Sequence, residues 1–222
     1  MSNTIFHFMR GKNIKAVLFD MDGTLFDSEV GSIEMMKQLA LEHHGIESDA
    51  TFEELTGLNY PDKLKKILGF EDVELLEIAM KKGAELYAEI AEPIAGVNEC
   101  LINLSASANN LRLAVCTNGY MDLLRPAFEK LPITLDLYLG AGDKLKKKPE
   151  PDVFLEALKI LEIKPEEALV AEDSLIGVSA ALAAGIPEDN ILIFDPSNMH
   201  DESNTRFTSW EEFSRDERAE AR

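Results

Sequence analysis

The chain has 222 residues, 45% apolar and 28% charged, a mix that supports a buried core without disulfides or a structural metal and excludes wholesale disorder. Lys and Arg number 22 against 41 Asp and Glu, a formal net charge of −19 that disfavours nucleic acid and anionic membrane as partners. An anionic ligand must then be drawn in by a local cluster of Lys, backbone N–H groups or a metal. The opening apolar stretch, Thr4 to Met9, is too short for a signal-peptide core and lacks a small-residue cleavage site. No run approaches the roughly 20 apolar residues of a membrane span. Cys100 and Cys116 form no CxxC and no framework, so a reducing, cytoplasmic setting is expected.

The first strong element is Ala16-Val17-Leu18-Phe19, a short buried strand that runs straight into Asp20-Met21-Asp22-Gly23-Thr24. An Asp-Gly turn alone explains Asp22-Gly23 but not a second carboxylate at a strand tip. From Glu29 to Glu92 the periodicity is only helical, with apolar positions at Ile33, Met36 and Leu39, then Leu64, Ile67 and Leu68, then Leu76, Met80 and Leu86. Gly45, Gly57, Pro61 and Gly69 punctuate it, and Pro93 with Gly96 closes it. A small all-helical domain inserted after the first strand is the expectation, with domain limits of 29–93 inside a core of 1–28 and 94–222. His43 and His44 close its first helix, where cations suit the helix dipole.

Strand and helix then alternate. Leu111–Cys116, Ala168–Ala171 and Ile191–Phe194 read as strands covered on both faces, Leu135–Ala141 as a weaker one, and 97–107, 121–130, 151–161 and 174–184 as helices. The expected fold is α/β, an open, Rossmann-like parallel sheet carrying the helical insert. Trp210 is expected to anchor the last helix, and the charged tail beyond it to fray.

Several strand ends carry chemistry. Thr117-Asn118-Gly119 offers a hydroxyl followed by backbone N–H groups, a seat for a phosphate. Lys148 follows a run of solvated lysines but is stiffened by Pro149 and Pro151 just before a helix. Glu172-Asp173-Ser174 places two more acids at a strand tip. In a parallel sheet all these groups leave one edge, where clustered carboxylates require a cation. Oxygen ligands favour a hard ion, so spacing and composition point to a Mg²⁺-assisted phosphoryl site.

These residues resemble a known family. Asp20-x-Asp22-Gly23-Thr24, Thr117-Asn118, Lys148-Pro149 and Glu172-Asp173, in that order, look like the four motifs of the haloacid dehalogenase superfamily. The resemblance covers about residues 15 to 195, and the long gap between the first two motifs looks like the family's helical cap. Phe26-Asp27-Ser28-Glu29 and Lys148 to Phe154 look most like the β-phosphoglucomutase, phosphoglycolate phosphatase and sugar phosphatase branch. The resemblance implies that Asp20 attacks phosphorus to form an aspartyl-phosphate and that Asp22 is general acid and base. It implies a Mg²⁺ site made of Asp20, Asp22 through its carbonyl, Glu172 and Asp173. Thr117, Asn118 and Lys148 would hold the phosphoryl oxygens.

The expected function is hydrolysis of a small phosphorylated metabolite by a monomeric enzyme. Dehalogenase members lack the second acid of the first motif, which Asp22 supplies here. A β-phosphoglucomutase-like phosphotransferase is an alternative, weakened because Gly57-Leu58-Asn59-Tyr60 lacks the Arg that such caps carry; Lys63, Lys65 and Lys66 are the residues that could compensate. A non-catalytic phosphate-binding module is the second alternative. Glu29, Ser32, Asn59, Tyr60 and Lys63 are the expected substrate-choosing residues of the cap.

Overall fold

The computed structural model of the protein describes residues 4–55, 58, 60–107, 110–142, 144–196 and 205–213. Its first half contains α1 (Ile5–Met9), β1 (Ala16–Phe19), β2 (Phe26–Asp27), α2 (Glu29–His44), α3 (Phe52–Leu55), α4 (Tyr60–Leu68), α5 (Val73–Ile90) and β3 (Glu92–Pro93). The second half contains α6 (Val97–Ser105), β4 (Arg112–Thr117), α7 (Met121–Leu124), β5 (Leu137–Gly140), α8 (Asp152–Leu161), β6 (Ala168–Glu172), α9 (Leu175–Ala183), β7 (Ile191–Phe194), β8 (Thr205–Phe207) and α10 (Trp210–Phe213).

Six strands form one sheet in the order β5-β4-β1-β6-β7-β8, and every neighbouring pair is parallel. This is a Rossmann-like α/β fold. Side chains of a strand alternate between faces, so the continuous apolar runs feed two cores. Leu18, Ala114, Cys116, Val170 and Ile193 pack with Phe154, Ala157 and Leu158 of α8 and Val178 and Ala181 of α9. On the other face Phe19 and Phe194 meet Trp210, and Phe207 lies against the same indole. The sheet order reverses beside β1, with β4 on one side and β6 on the other. At such a point the loops leaving neighbouring strands diverge and open a crevice at the carboxyl edge.

The chain divides into two compact units, one of Met1–Phe26, Pro93–Asp122 and Phe128–Arg222, the other of Asp27–Glu92 with Leu123–Ala127. The second unit holds α2 to α5 around a core of Ile33, Met36, Leu39, Leu55, Leu64, Ile67 and Leu75. Gly45 ends α2 in the left-handed region at φ 67, with its N–H bonded to Ala40 and Leu41 carbonyls. His44 pairs with Asp72 at 2.8 Å, and Asp72 also caps α5 by accepting from the Leu75 N–H.

Some elements differ from the expected ones. The helix anticipated over 121–130 is α7 followed by a 3₁₀ segment, Arg125–Lys130. Pro126 has no N–H to donate and its ring crowds the carbonyl of residue 122, so the α-helix stops there. The residues after Trp210 do not fray at once: α10 runs to Phe213, which is buried. The tail from 214 onward, and Gly57 and Asn59 of the expected cap turn, lie outside the described residues.

Candidate active site

The site is assembled by strand register. Phe19 pairs with Val115 on one side and Ala171 on the other, so the next residues, Asp20, Cys116 and Glu172, sit level at three adjacent tips. The Asp20 N–H continues the ladder to the Ala171 carbonyl at 2.9 Å. After Asp20 the chain folds into a tight turn in which the N–H groups of Leu25 and Phe26 both reach the Met21 carbonyl at 2.9 Å. The Gly23 N–H returns to the Phe26 carbonyl at 2.8 Å. Gly23 is required twice over. Its φ is +78, and a Cβ there would lie 2.1 Å from Asp173 Oδ2.

Lys148 is the hub. Its ammonium donates to Asp20 Oδ1 at 2.5 Å, to Glu172 Oε1 at 2.5 Å and to the Cys116 carbonyl at 2.7 Å. Those three bonds use all three ammonium protons. The Phe154 ring lies 5.0 Å from the ammonium, and the residue is buried. Burial alone would lower the Lys148 pKa, but the Asp20 and Glu172 charges outweigh it and hold the ammonium well above its ordinary value.

Glu172 is fully buried, and its second oxygen accepts from the Ser174 hydroxyl at 3.1 Å and the Ser174 N–H at 3.4 Å. Ser174 is the N-cap of α9 and accepts in turn from the Gly177 N–H. A Cβ at Gly177 would lie 1.9 Å from the Glu172 carboxyl carbon, so only glycine lets the carboxylate rest there. Burial, then the Asp20 charge, pushes Glu172 up to about 7 despite Lys148. Burial and the Asp20 and Glu172 charges push Asp173 up to about 8. Ligand oxygens of Asp20, Glu172 and Asp173 all lie within 4.8 Å of one another. Three carboxylates beside one ammonium, two of them buried and Asp173 half-buried, leave an excess of negative charge. With oxygen donors only, the group fits a hard divalent cation. The exposed Asp22 carboxylate is not a member of this group.

Thr117 is buried at the tip of β4, and its Oγ1 accepts from the Gly119 N–H at 3.1 Å. That leaves its hydroxyl proton for another acceptor. Asn118 has a role its residue type did not suggest. Its Oδ1 accepts from the Lys148 N–H at 2.7 Å and its Nδ2 donates to the Lys148 carbonyl at 3.4 Å, clamping the loop that presents the lysine. The Asn-Gly dipeptide reads as a turn, and only the tertiary approach of the lysine loop reveals the clamp.

The substrate-choosing residues expected of the insert are partly linked within the helical unit. Lys63 is buried and donates to Glu29 Oε2 at 2.5 Å, while the Ser32 hydroxyl donates to the Glu29 carbonyl. A Cβ at Gly83 would lie 2.6 Å from the Tyr60 hydroxyl, so the glycine makes room for that phenol. Among the described residues no helix is long and apolar enough to cross a membrane.

Comparison with known proteins decides the family. The model of haloacid dehalogenase-like hydrolases matches residues 17–188. The chain belongs to this family. It is 31% identical over 183 residues to a phosphorylated carbohydrates phosphatase of Thermotoga maritima, covering 78% of this chain and 82% of that protein. It is 30% identical over 185 residues to a phosphoglycolate phosphatase of Aquifex aeolicus, again covering 78% and 82%. The crystal structure of a subfamily IA hydrolase of the superfamily from Geobacter sulfurreducens superposes with a TM-score of 0.66 at 25% identity, covering 91% of this chain and 95% of that one. The protein is a phosphoric monoester hydrolase of the haloacid dehalogenase-like type.

Proposed function

We propose that the enzyme is a Mg²⁺-dependent phosphatase of small phosphate monoesters, a sugar phosphate or a short phosphorylated acid, working through an aspartyl-phosphate on Asp20. The observation that carries this reading is the Asp20 carboxylate held by one oxygen on Lys148, at the sheet edge beside Asp173 and Glu172. In the first step Asp20 forms a bond to phosphorus as the ester oxygen leaves, and Asp22 gives that oxygen its proton. In the second, Asp22 takes a proton from water, which attacks phosphorus and releases inorganic phosphate from Asp20. Thr117, with its hydroxyl proton uncommitted to Gly119, and Lys148, by exchanging its bond to Asp20 for one to the incoming group, stabilise the equatorial oxygens. Asn118 contributes by clamping Lys148. Asp20, the Asp22 carbonyl, Asp173 and Glu172 would hold Mg²⁺, which when bound neutralises phosphoryl charge.

The residues of the helical unit favour hydrolysis over phosphoryl return to a second hydroxyl, because a mutase must grip a second phosphate. Lys63, Lys65 and Lys66, the three lysines that could do so, are paired with Glu29, Glu71 and Glu54. The residues 27–92 are proposed as the cap that chooses substrate, and cytoplasm as the location. A panel of phosphate monoesters incubated with Mg²⁺ tests the reading. Free phosphate from at least one small ester is expected, whereas glucose 6-phosphate accumulating from β-glucose 1-phosphate without phosphate release establishes the mutase instead.

A further inference from the structure

Outside the catalytic cluster, the most informative contact on the nucleophile's turn comes from the far end of the chain. Trp210, the only tryptophan, is 1% exposed, and its indole Nε1 donates to the Thr24 carbonyl at 2.9 Å. Thr24 is itself fully buried, and the turn's own bonds use the Met21 and Phe26 carbonyls rather than this one. The same indole packs against Phe19, the residue preceding Asp20, at 6.0 Å between ring centroids. One side chain thus touches both sides of the Asp20–Asp22 segment, apolar contact before it and a hydrogen bond after it. The approach is built in. Gly96 has φ +84, and a Cβ there would lie 2.4 Å from the Glu211 N–H nitrogen and 2.8 Å from the Trp210 carbonyl carbon. Phe207, Phe213 and Phe194 surround the indole at centroid distances of 4.7, 6.0 and 5.9 Å and fix its plane.

We infer that Trp210 is a positioning residue for the reaction, holding the turn so that the Asp22 carboxyl meets the leaving oxygen. This rests on the roles proposed above for Asp20 and Asp22. A buried carbonyl that loses its only indole donor seeks a new partner, and the cheapest way to find one is to twist the turn. Packing alone would have been met by phenylalanine, which the neighbouring aromatic positions use. The N–H is what tryptophan adds.

Trp210→Phe keeps a ring and removes the donor. Two measurements decide the matter. Amide hydrogen exchange should rise about tenfold or more in the segment 20–26, the loss of one buried hydrogen bond, while β4 stays unchanged. With Mg²⁺, kcat/KM reports only the steps up to departure of the leaving group. It should fall about tenfold for an alkyl phosphate and change little for p-nitrophenyl phosphate, whose leaving group needs no proton. The kcat falls for both, because Asp22 also activates the water. A merely structural role lowers kcat/KM equally for both esters. Unchanged exchange in 20–26, or an equal fall in kcat/KM for alkyl and aryl esters, overturns the inference. A wild-type enzyme that releases phosphate from no small ester overturns the proposed reaction, and the exchange experiment still judges Trp210.

Discussion

Replacing Lys148 by methionine removes the ammonium from buried Asp20 and Glu172 and half-buried Asp173 while keeping much of its length. At 2.5 Å and an effective dielectric of about 20, each contact with Asp20 and Glu172 carries roughly 6–7 kcal/mol of attraction before desolvation is counted. Burying the ammonium costs several kcal/mol, and so does burying each carboxylate, so the net value of the pairs is far smaller. What the variant loses is compensation. Asp20 and Glu172 remain buried beside Asp173 with no ammonium, and breaking such a pair typically costs about 3–5 kcal/mol. The carboxylates can escape part of that cost by taking up protons, so the loss should be larger at pH 8 than at pH 6. Urea unfolding of wild type and variant at both values, in metal-free buffer, measures it. Activity should fall by about 10²–10³ in kcat, the usual cost of one removed transition-state donor. A variant within about 1 kcal/mol of wild type at pH 8, or one retaining a fifth or more of wild-type kcat, refutes the hub role of Lys148.

Three further outcomes follow from the same geometry. Gly177→Ala forces Glu172 and the start of α9 apart, because the new methyl falls on the carboxyl group; a stability loss of about 2 kcal/mol or more and a marked fall in kcat are expected from thermal melts and phosphate release. In the metal-free protein Asp173 at about 8 and Glu172 at about 7 hold protons that the unfolded chain, with ordinary carboxylates, has already released. Their contribution to stability therefore declines as pH rises from about 4 to 8. Mg²⁺ needs both ionised and should raise the melting temperature more at pH 8 than at pH 6, with proton release on binding visible by calorimetry in two buffers. Turnover should vanish in excess EDTA, return with Mg²⁺ and be inhibited by Ca²⁺, which is larger and takes more oxygen ligands; full activity in EDTA removes the metal from the account.

The core of the fold was legible because its strands are buried on both faces and so appear as short continuous apolar runs, as at Ala16–Phe19 and Ile191–Phe194. The acids at Asp20 and Asp173 were legible because they interrupt such runs at the carboxyl edge. Other parts were not. Thr205-Arg206-Phe207 is three residues long with a charge in the middle, and it becomes β8 only because β7 offers an open edge and Phe194 a partner for Phe207. Ile5–Met9 forms α1 with Ile5 wholly buried, although five residues carry no helical period to read. The Asn118 clamp and the Trp210 donor escaped for the same reason. Both join segments far apart in sequence, and the residue types concerned have commoner local or packing roles. The task of Gly177, making room for the Glu172 carboxylate five residues earlier, shows only once the turn from β6 into α9 folds the first turn of that helix back over the strand tip.

The central claim is that Asp20 carries the phosphoryl group between substrate and water. Rapid mixing of the enzyme with a turned-over phosphate ester and Mg²⁺, an acid quench within the first turnover, and mass spectrometry of the digested protein test it directly. One phosphoryl group is expected on the peptide containing Asp20, labile in base and absent from Asp20→Asn. Phosphate release in that first turnover with no adduct on Asp20, or an Asp20→Asn enzyme that still turns over, contradicts it.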